Sequence, residues 1–207
     1  MIFQVIIMFT DDISNVRDQD MEIKNAVYER ETIASEDISG FEFSEVFFKG
    51  CRFIQCDLTK ACFYGCKFDK CDLSNCKLGD CYFKECEFTG CKANGAEFGS
   101  AVFKQSTLKT SSFTYGLFSE STFDGCTITD CDMSGALLSR SDLKRTTFKD
   151  VKLVSAELFM TKMRGTDFSK CDISGIVLSR ELSELRGVTV TYEQAADLAK
   201  LLGLIVK

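Results

Sequence analysis

The sequence of 207 residues contains no proline, no tryptophan and no histidine. The absence of histidine excludes Ser-His-Asp triads, histidine acid/base chemistry and histidine metal sites. Neither of the glycine-rich phosphate-binding motifs occurs at a strand-to-helix turn. We therefore do not expect an enzyme, and we assign no catalytic residue, no metal ligand and no cofactor.

The net charge and the N-terminal sequence argue against further classes of protein. A net charge of −6 and a pI near 4.9 argue against nonspecific binding to nucleic acid or to an anionic membrane surface. The apolar run of residues 1–9 is too short to span a membrane, which takes about 20 residues, and it lacks the basic start of a signal peptide. We expect this run to form a β-strand or a hydrophobic cap.

A five-residue repeat dominates the rest of the chain. An apolar residue occupies every fifth position from Ile38 to Leu178, through 29 consecutive positions. Fourteen of these are Phe, nine are Leu and one is Ala93. A period of five is neither helical nor that of a single strand, so it must belong to a repeating structural unit with one bulky inward side chain.

The cysteines follow the same repeat. Eleven of the twelve lie two residues before a bulky position, where Ala and Ser occur in other units, and Cys62 is the exception. A buried thiol packs as a small apolar side chain, whereas disulfides or metal sites would not place nearly every cysteine at one repeat position. We therefore expect reduced thiols and a cytoplasmic protein.

Units such as C-D-L-T-K (56–60), C-D-L-S-N (71–75) and C-D-I-S-G (171–175) resemble the pentapeptide-repeat family. The resemblance implies an all-β solenoid, a right-handed quadrilateral β-helix in which four units form a coil of twenty residues. On such a coil the bulky positions 43, 63, 83, 103 and 123 stack as a ladder of Phe rings. Ala93 would leave a gap in a neighbouring column unless other side chains fill it.

Three segments are predicted: an N-terminal cap or entry coil (1–30), the β-helix (31–182) and a C-terminal capping or dimerisation segment (183–207). Alternation in 187–191 predicts a strand. The run 192–202 has helical spacing, with Thr191 as N-cap, Gln194 three residues later and Gly203 at its end. The apolar residues 204–206 are expected to form a second strand.

One side of the predicted solenoid, which carries bulky positions 38, 58 and 78, has the most acidic surface. Its acidic residues outnumber its basic residues by two. Its acidic residues are candidate contacts for a partner: Asp37, Asp57, Asp80, Glu97, Glu120 and Glu157. Toward the C-terminus the same side presents apolar residues that predict a contact patch: Leu117, Leu137, Phe159, Met160 and Val177.

The C-terminal sequence, V-T-V-T-Y-E-Q-A-A-D-L-A-K-L-L-G-L-I-V, resembles that of the Qnr and MfpA type within this family. The resemblance implies a homodimer that mimics DNA, binds DNA gyrase or topoisomerase IV rather than nucleic acid, and reduces fluoroquinolone sensitivity. The dimer contacts it implies are Val188, Val190, Leu198, Leu202, Leu204 and Val206. The unbroken repeat leaves no room for the protruding loops with which some Qnr proteins protect gyrase, so inhibition or weak protection is favoured.

An alternative remains open on the sequence. The chain could be a structural or scaffolding pentapeptide-repeat protein that binds another protein through the apolar patch. A continuous negative stripe along the rod would favour DNA mimicry, and a patchwork of charge would count against it.

Overall fold

The computed structural model describes residues 8–17 and 19–206. They form a solenoid of short strands with one helix before it and one after it. In chain order the elements are α1 (Phe9–Val16), β1 (Glu22–Lys24), β2 (Val27–Glu29), β3 (Thr32–Ala34), β4 (Glu42–Ser44), β5 (Phe47–Lys49), β6 (Arg52–Ile54), β7 (Cys62–Tyr64), β8 (Lys67–Asp69), β9 (Tyr82–Lys84), β10 (Glu87–Thr89), β11 (Val102–Lys104), β12 (Thr107–Lys109), β13 (Thr122–Asp124), β14 (Thr127–Thr129), β15 (Thr147–Lys149), a 3-10 helix (Ser183–Leu185) and α2 (Tyr192–Leu201). The coils thus begin at Glu22, within the segment 1–30.

Every strand pairs in parallel with a strand twenty residues before it, after it or both, so four five-residue units make one coil. We name the four sides by their strands. Face 1 is the sheet β1-β4-β7-β9-β11-β13, and face 2 is the sheet β2-β5-β8-β10-β12-β14-β15. Face 3 is the pair β3-β6 continued by single bridges to Asp172, and face 4 is held by single bridges from Asp37 to Val177. This architecture confirms the predicted β-solenoid with coils of twenty residues.

The predicted ladder of aromatic rings is present on face 1. Ring centroids are 4.9 Å apart for Phe43 and Phe63, 5.0 Å for Phe63 and Phe83, 4.8 Å for Phe83 and Phe103, and 4.7 Å for Phe103 and Phe123. All five side chains are buried. Parallel pairing in exact twenty-residue register places identical side chains face to face, so the repeat itself produces the stacked core.

The expected gap at Ala93 is covered by neighbouring rings. Phe113 follows Ala93 one coil later on face 3, and its ring lies 6.5 Å from the ring of Phe88 and 6.2 Å from that of Phe98. Phe88 and Phe98 belong to the coil of Ala93 itself, and all four residues are buried. Phe113 therefore leans toward the space that the small Ala93 side chain leaves.

Most of the Cys, Ser and Thr side chains at the small inward positions donate a hydrogen bond to the backbone of the preceding coil. The Cys51 thiol donates to the carbonyl of Tyr28 at 3.3 Å, and the Ser121 hydroxyl donates to the carbonyl of Phe98 at 2.7 Å. The same offset of 23 residues recurs along the solenoid. All twelve cysteines are free thiols. Burial raises the pKa of Cys76 to about 12 and that of Cys126 to about 11, so these thiols stay protonated at neutral pH.

Helix α1 covers the N-terminal end of the solenoid. The buried ring of Phe9 lies 5.0 Å from the ring of Tyr28 and 5.8 Å from that of Phe48. The Tyr28 hydroxyl donates to Asp12 at 2.6 Å, and Glu31 accepts from the backbone N–H of Phe9 at 2.9 Å. The apolar run predicted as a strand or cap lies mostly outside the described residues, but its last residue, Phe9, starts a helix.

The C-terminal segment closes the other end with a longer coil. Thr189 pairs with Asp167, an offset of 22 residues instead of twenty, and the 3-10 helix lies in the extra length. Glu184 anchors this corner, because its buried carboxylate accepts from the N–H of Met160 at 2.7 Å and from the hydroxyl of Ser179 at 2.7 Å. The predicted strand at 187–191 is reduced to the single bridge at Thr189.

The predicted C-terminal helix is confirmed. Thr191 and Gln194 form a capping box, and the Gln194 amide also donates to the carbonyls of Phe168 at 3.0 Å and Cys171 at 2.8 Å. Gly203 has a φ of +77°, as a C-terminal glycine requires. The strand predicted for residues 204–206 is wrong for the single chain, because none of the described strands pairs with them.

Candidate protein-binding surfaces

Face 4 collects all six acidic residues that the sequence singled out. Asp37, Asp57, Glu97 and Glu157 share one column of bridged positions, whereas Asp80 and Glu120 lie at corners of the coil. Hydrogen bonds from the side chain and N–H of Ser39 hold the pKa of Asp37 below its ordinary value. The carboxylate therefore remains ionised at neutral pH.

The acidic column is interrupted. Lys77 lies between Asp57 and Glu97 and pairs with Asp57, with 3.4 Å between Nζ and Oδ2. Leu117 and Leu137 occupy the next two positions of the column. At the corner, Glu120 pairs with Arg140 at 3.6 Å. The face is acidic in its N-terminal half but carries no continuous negative stripe.

Negative charge is concentrated at the N-terminal end of the rod instead. Residues 1–45 contain eleven acidic and three basic residues, for a net charge of −8, whereas the whole chain has −6. The three bases each pair with an acid of the same end: Arg17 with Glu36 at 3.6 Å, Lys24 with Glu22 at 2.6 Å and Arg30 with Glu29 at 3.8 Å. The N-terminal segment therefore has an excess of eight negative charges, more than the whole chain carries.

The apolar patch lies on the C-terminal half of face 4. Met160 and Val177 are 55% and 51% exposed, and Phe159 is 39% exposed. Leu117 and Leu137 are adjacent in the bridged column, and Glu157 separates them from Val177. The structure thus places the five residues on one face within neighbouring coils, an arrangement typical of a contact surface.

A second apolar surface lies at the C-terminal end. A groove of about 270 Å³ separates α2 from the last coil; it is lined by Leu182, Leu185, Val188, Val190, Ala195, Leu198, Ala199 and Leu202. Four of the six residues expected at a dimer joint line this groove. The other two, Leu204 and Val206, follow the helix and are 57% and 44% exposed.

Sequence reasoning missed Leu182 and Leu185 in this groove and the anchoring role of Glu184. Leu182 has a left-handed φ of +49° and Glu184 is almost fully buried. The only sequence signal was the break of the five-residue register at Ser183. Within the described residues no group of three potential metal ligands comes together, and no helix is long and apolar enough to cross a membrane.

Family models match the repeats directly. The model for pentapeptide repeats in eight copies matches residues 37–75, and the model for a pentapeptide repeat region matches residues 63–138. Together the two models cover residues 37–138, which are therefore pentapeptide repeats. The fold of such repeats is one known for structural or protein-binding roles. A search of curated protein sequences finds no match.

Solved structures show the same solenoid. A trypsin-treated variant of QnrB1, described as a plasmid-mediated fluoroquinolone resistance protein, matches with a TM-score of 0.58 and 18% identity, covering 88% of this chain and 100% of that one. A pentapeptide-repeat protein from the Arabidopsis thaliana thylakoid lumen matches with a TM-score of 0.43 and 19% identity, covering 45% of this chain and 66% of that one. At 18% identity the likeness to the QnrB1 structure shows the fold alone, a pentapeptide-repeat β-solenoid.

Proposed function

We propose that this protein binds a type II topoisomerase, DNA gyrase or topoisomerase IV, in place of DNA and thereby reduces its sensitivity to fluoroquinolones. The observation that carries the proposal is the match to QnrB1, which spans the whole of that chain and 88% of this one. The proposal places the protein in the cytoplasm, where the topoisomerase and the reduced thiols belong. Its contact residues are the acids of face 4.

The interrupted charge of face 4 counts against mimicry of DNA along the whole rod, so the proposed contact is confined to the acidic N-terminal half. Asp80 and Glu97 form no ion pair among the described residues, so their charges are available to a basic partner surface. The acidic N-terminal end adds the larger share of the negative potential. We therefore expect affinity to depend on the N-terminal half of each rod more than on its middle, and to fall with salt.

A homodimer joined at the C-terminal groove is part of the proposal. The groove is almost wholly apolar, and the residues that follow α2 are exposed Leu204, Ile205 and Val206. The same segment of a second copy supplies apolar side chains that fill the groove and a strand edge that pairs the unpaired backbone. Two rods joined in this way place both acidic ends at the far tips.

A supercoiling assay tests the topoisomerase contact. Wild-type protein at micromolar concentration should inhibit gyrase or topoisomerase IV, or reduce the DNA cleavage that ciprofloxacin induces. Asp80→Asn combined with Glu97→Gln should weaken this effect about tenfold, a value typical of two lost charge contacts. The matched control, Glu87→Gln with Asp130→Asn on face 2, changes the net charge equally and should act like wild type. No effect of wild-type protein on either enzyme would refute the proposal.

Sedimentation velocity tests the dimer. Leu204→Asp should give monomers, because a charge would have to enter the apolar joint. Tyr192→Asp is the control, since Tyr192 is 86% exposed at the start of α2 and lies outside the groove. A dimer that survives Leu204→Asp would place the joint elsewhere.

The apolar patch favours a second candidate function, a scaffolding protein that binds another protein. Met160 and Val177 are more than half exposed on the same face, which a DNA mimic does not require. If this candidate is right, Met160→Ser with Val177→Ser abolishes binding of the partner while wild-type protein leaves both topoisomerases unaffected. A topoisomerase effect that the same double variant retains would instead support the first candidate.

A further inference from the structure

Face 3 carries one column of charges that faces outward. The column contains one residue per coil, each bridged to the next: Arg52, Asp72, Lys92, Ser112, Asp132, Lys152 and Asp172. Parallel strand spacing separates neighbours by about 4.8 Å, so the column is about 29 Å long. All seven side chains are at least partly exposed.

None of the six charged residues forms an ion pair within residues 8–17 and 19–206. Asp72 and Asp132 each use one carboxylate oxygen to accept the N–H two residues later, at 3.0 Å. Asp172 does the same with Ser174. The second carboxylate oxygen of each remains available to a partner's cation.

The two outward positions that follow the column residue in each coil hold no acidic or basic residue: Ala34, Ser35, Ile54, Gln55, Ser74, Asn75, Asn94, Gly95, Thr114, Tyr115, Ser134, Gly135, Val154, Ser155, Ser174 and Gly175. The corner positions that precede it are charged in four of the column's seven coils, where they hold Lys70, Asp130, Asp150 and Lys170. Tyr115 is the one large side chain that projects strongly, with 71% of its surface exposed. Its ring lies over Gly135, where a Cβ would be only 2.6 Å from the ring. Such a surface permits close approach of another flat face.

The six charges alternate in sign, and the uncharged Ser112 occupies the middle of the column. Attraction between neighbours within one chain favours this order, but none of these side chains lies within ion-pairing distance of another among the described residues. The charges are therefore available to an external surface.

The central position of Ser112, with three alternating charges on each side, has a consequence for a second copy laid against this face in the opposite direction. With a two-fold axis at Ser112, Arg52 meets Asp172, Asp72 meets Lys152 and Lys92 meets Asp132, so every charge faces its opposite. A column with the signs reversed at positions 132, 152 and 172 would bring like charges together in the same arrangement. We propose that face 3 is a self-complementary contact surface whose partner is a second copy of this chain, packed antiparallel about Ser112.

The centre of this contact also fits sterically. Tyr115 belongs to the coil of Ser112, so both copies place this ring beside the two-fold axis. In the same register Gly95 of one copy lies opposite Gly135 of the other, which leaves room for the two rings. The column is narrow, so the buried area is small and the contact is weak and sensitive to salt. It lies apart from the C-terminal groove and is separate from the proposed function.

Charge reversal in the full-length chain tests the contact by sedimentation equilibrium at 50 and 300 mM NaCl. Lys92→Glu alone and Asp132→Lys alone should each weaken the salt-sensitive association at least about tenfold, because like charges then meet twice per dimer. An equimolar mixture of the two variants should restore it. In the mixed dimer the two introduced charges face each other, and the unchanged Asp132 of one variant faces the unchanged Lys92 of the other. The control Lys109→Glu on face 2 should leave the association unchanged.

The double variant Lys92→Glu/Asp132→Lys separates this proposal from stabilisation within one chain. Its intermolecular pairs are restored, but its column brings the introduced glutamate beside Asp72 and the introduced lysine beside Lys152. We expect association near that of wild type together with the lowest melting temperature of the set. Failure of both the mixture and the double variant to associate overturns the proposal, as does a Lys92→Glu variant that associates like wild type. Leu204→Asp should not affect this step, which distinguishes it from the C-terminal joint.

Discussion

Removing one ring from the ladder of face 1 should destabilise the whole rod. Phe83 is completely buried, and its ring stacks 5.0 Å from Phe63 and 4.8 Å from Phe103. It also meets the edge of Phe88 at 5.4 Å. Phe83→Ala therefore removes contacts with two neighbouring coils and with the adjacent face at once.

We expect a loss of about 4 kcal/mol in the free energy of unfolding, within the range of Phe-to-Ala substitutions in well-packed cores. The value should lie toward the upper part of that range, because paired backbones on both sides of Phe83 prevent the coil from collapsing into the cavity. Domains of this size have total stabilities of roughly 5–15 kcal/mol. The variant would thus lose a large fraction of its stability.

Urea unfolding followed by circular dichroism measures the effect. Phe159→Ala is the matched control, since it deletes the same atoms from a side chain that is 39% exposed, and it should cost less than about 1 kcal/mol. Equal shifts of the urea midpoint for the two variants would refute the view that stacking between coils carries the stability. Each coil contacts only its neighbours, so a broader transition would indicate local unfolding around the cavity.

Three further predictions concern the small side chain at Ala93 and the C-terminal end of the solenoid. Ala93→Leu should lower stability by about 1–3 kcal/mol, because neighbouring rings already occupy the space, and a higher urea midpoint would show an empty gap. Burial tends to raise the pKa of Glu184, but its hydrogen bonds outweigh this effect and the pKa is lowered. The ionised carboxylate therefore stabilises the fold at pH values above its ordinary pKa of 4.5, and this stabilisation is lost as the pH falls through the lowered pKa. Glu184→Gln should accordingly flatten the acid side of a plot of urea midpoint against pH, and an unchanged slope would contradict this. Gln194→Ala should lower the melting temperature, since two backbone carbonyls lose their donor. A variant that melts like wild type would show that these bonds do not hold the cap.

The interior of the rod was predictable because each five-residue unit repeats the same pattern of inward and outward side chains. The bulky positions had to point inward, and twenty-residue coils then required Phe63, Phe83 and Phe103 to stack. The helix cap at Thr191 and Gln194 was predictable for a similar reason, because a capping box is a contact between residues three apart.

The ends and the surface were not predictable in the same way. Helix α1 at Phe9 and the corner at Glu184 occur once, so no repetition reveals them. The predicted strand at 204–206 has no partner among the described residues of the chain, and hydrogen bonding of a strand depends on its neighbour. The acidic candidates do share face 4, but Lys77 and the two leucines divide them.

The sequence by itself determined which side chains point inward, how long a coil is and that the thiols pack as small apolar groups. These properties follow from burial within single units, which five residues specify. Only the tertiary structure decided how the ends close, where negative charge accumulates and which charges share a column on face 3. Those properties depend on residues twenty or more positions apart, brought side by side by parallel pairing, and on coils of altered length such as the one that ends at Thr189.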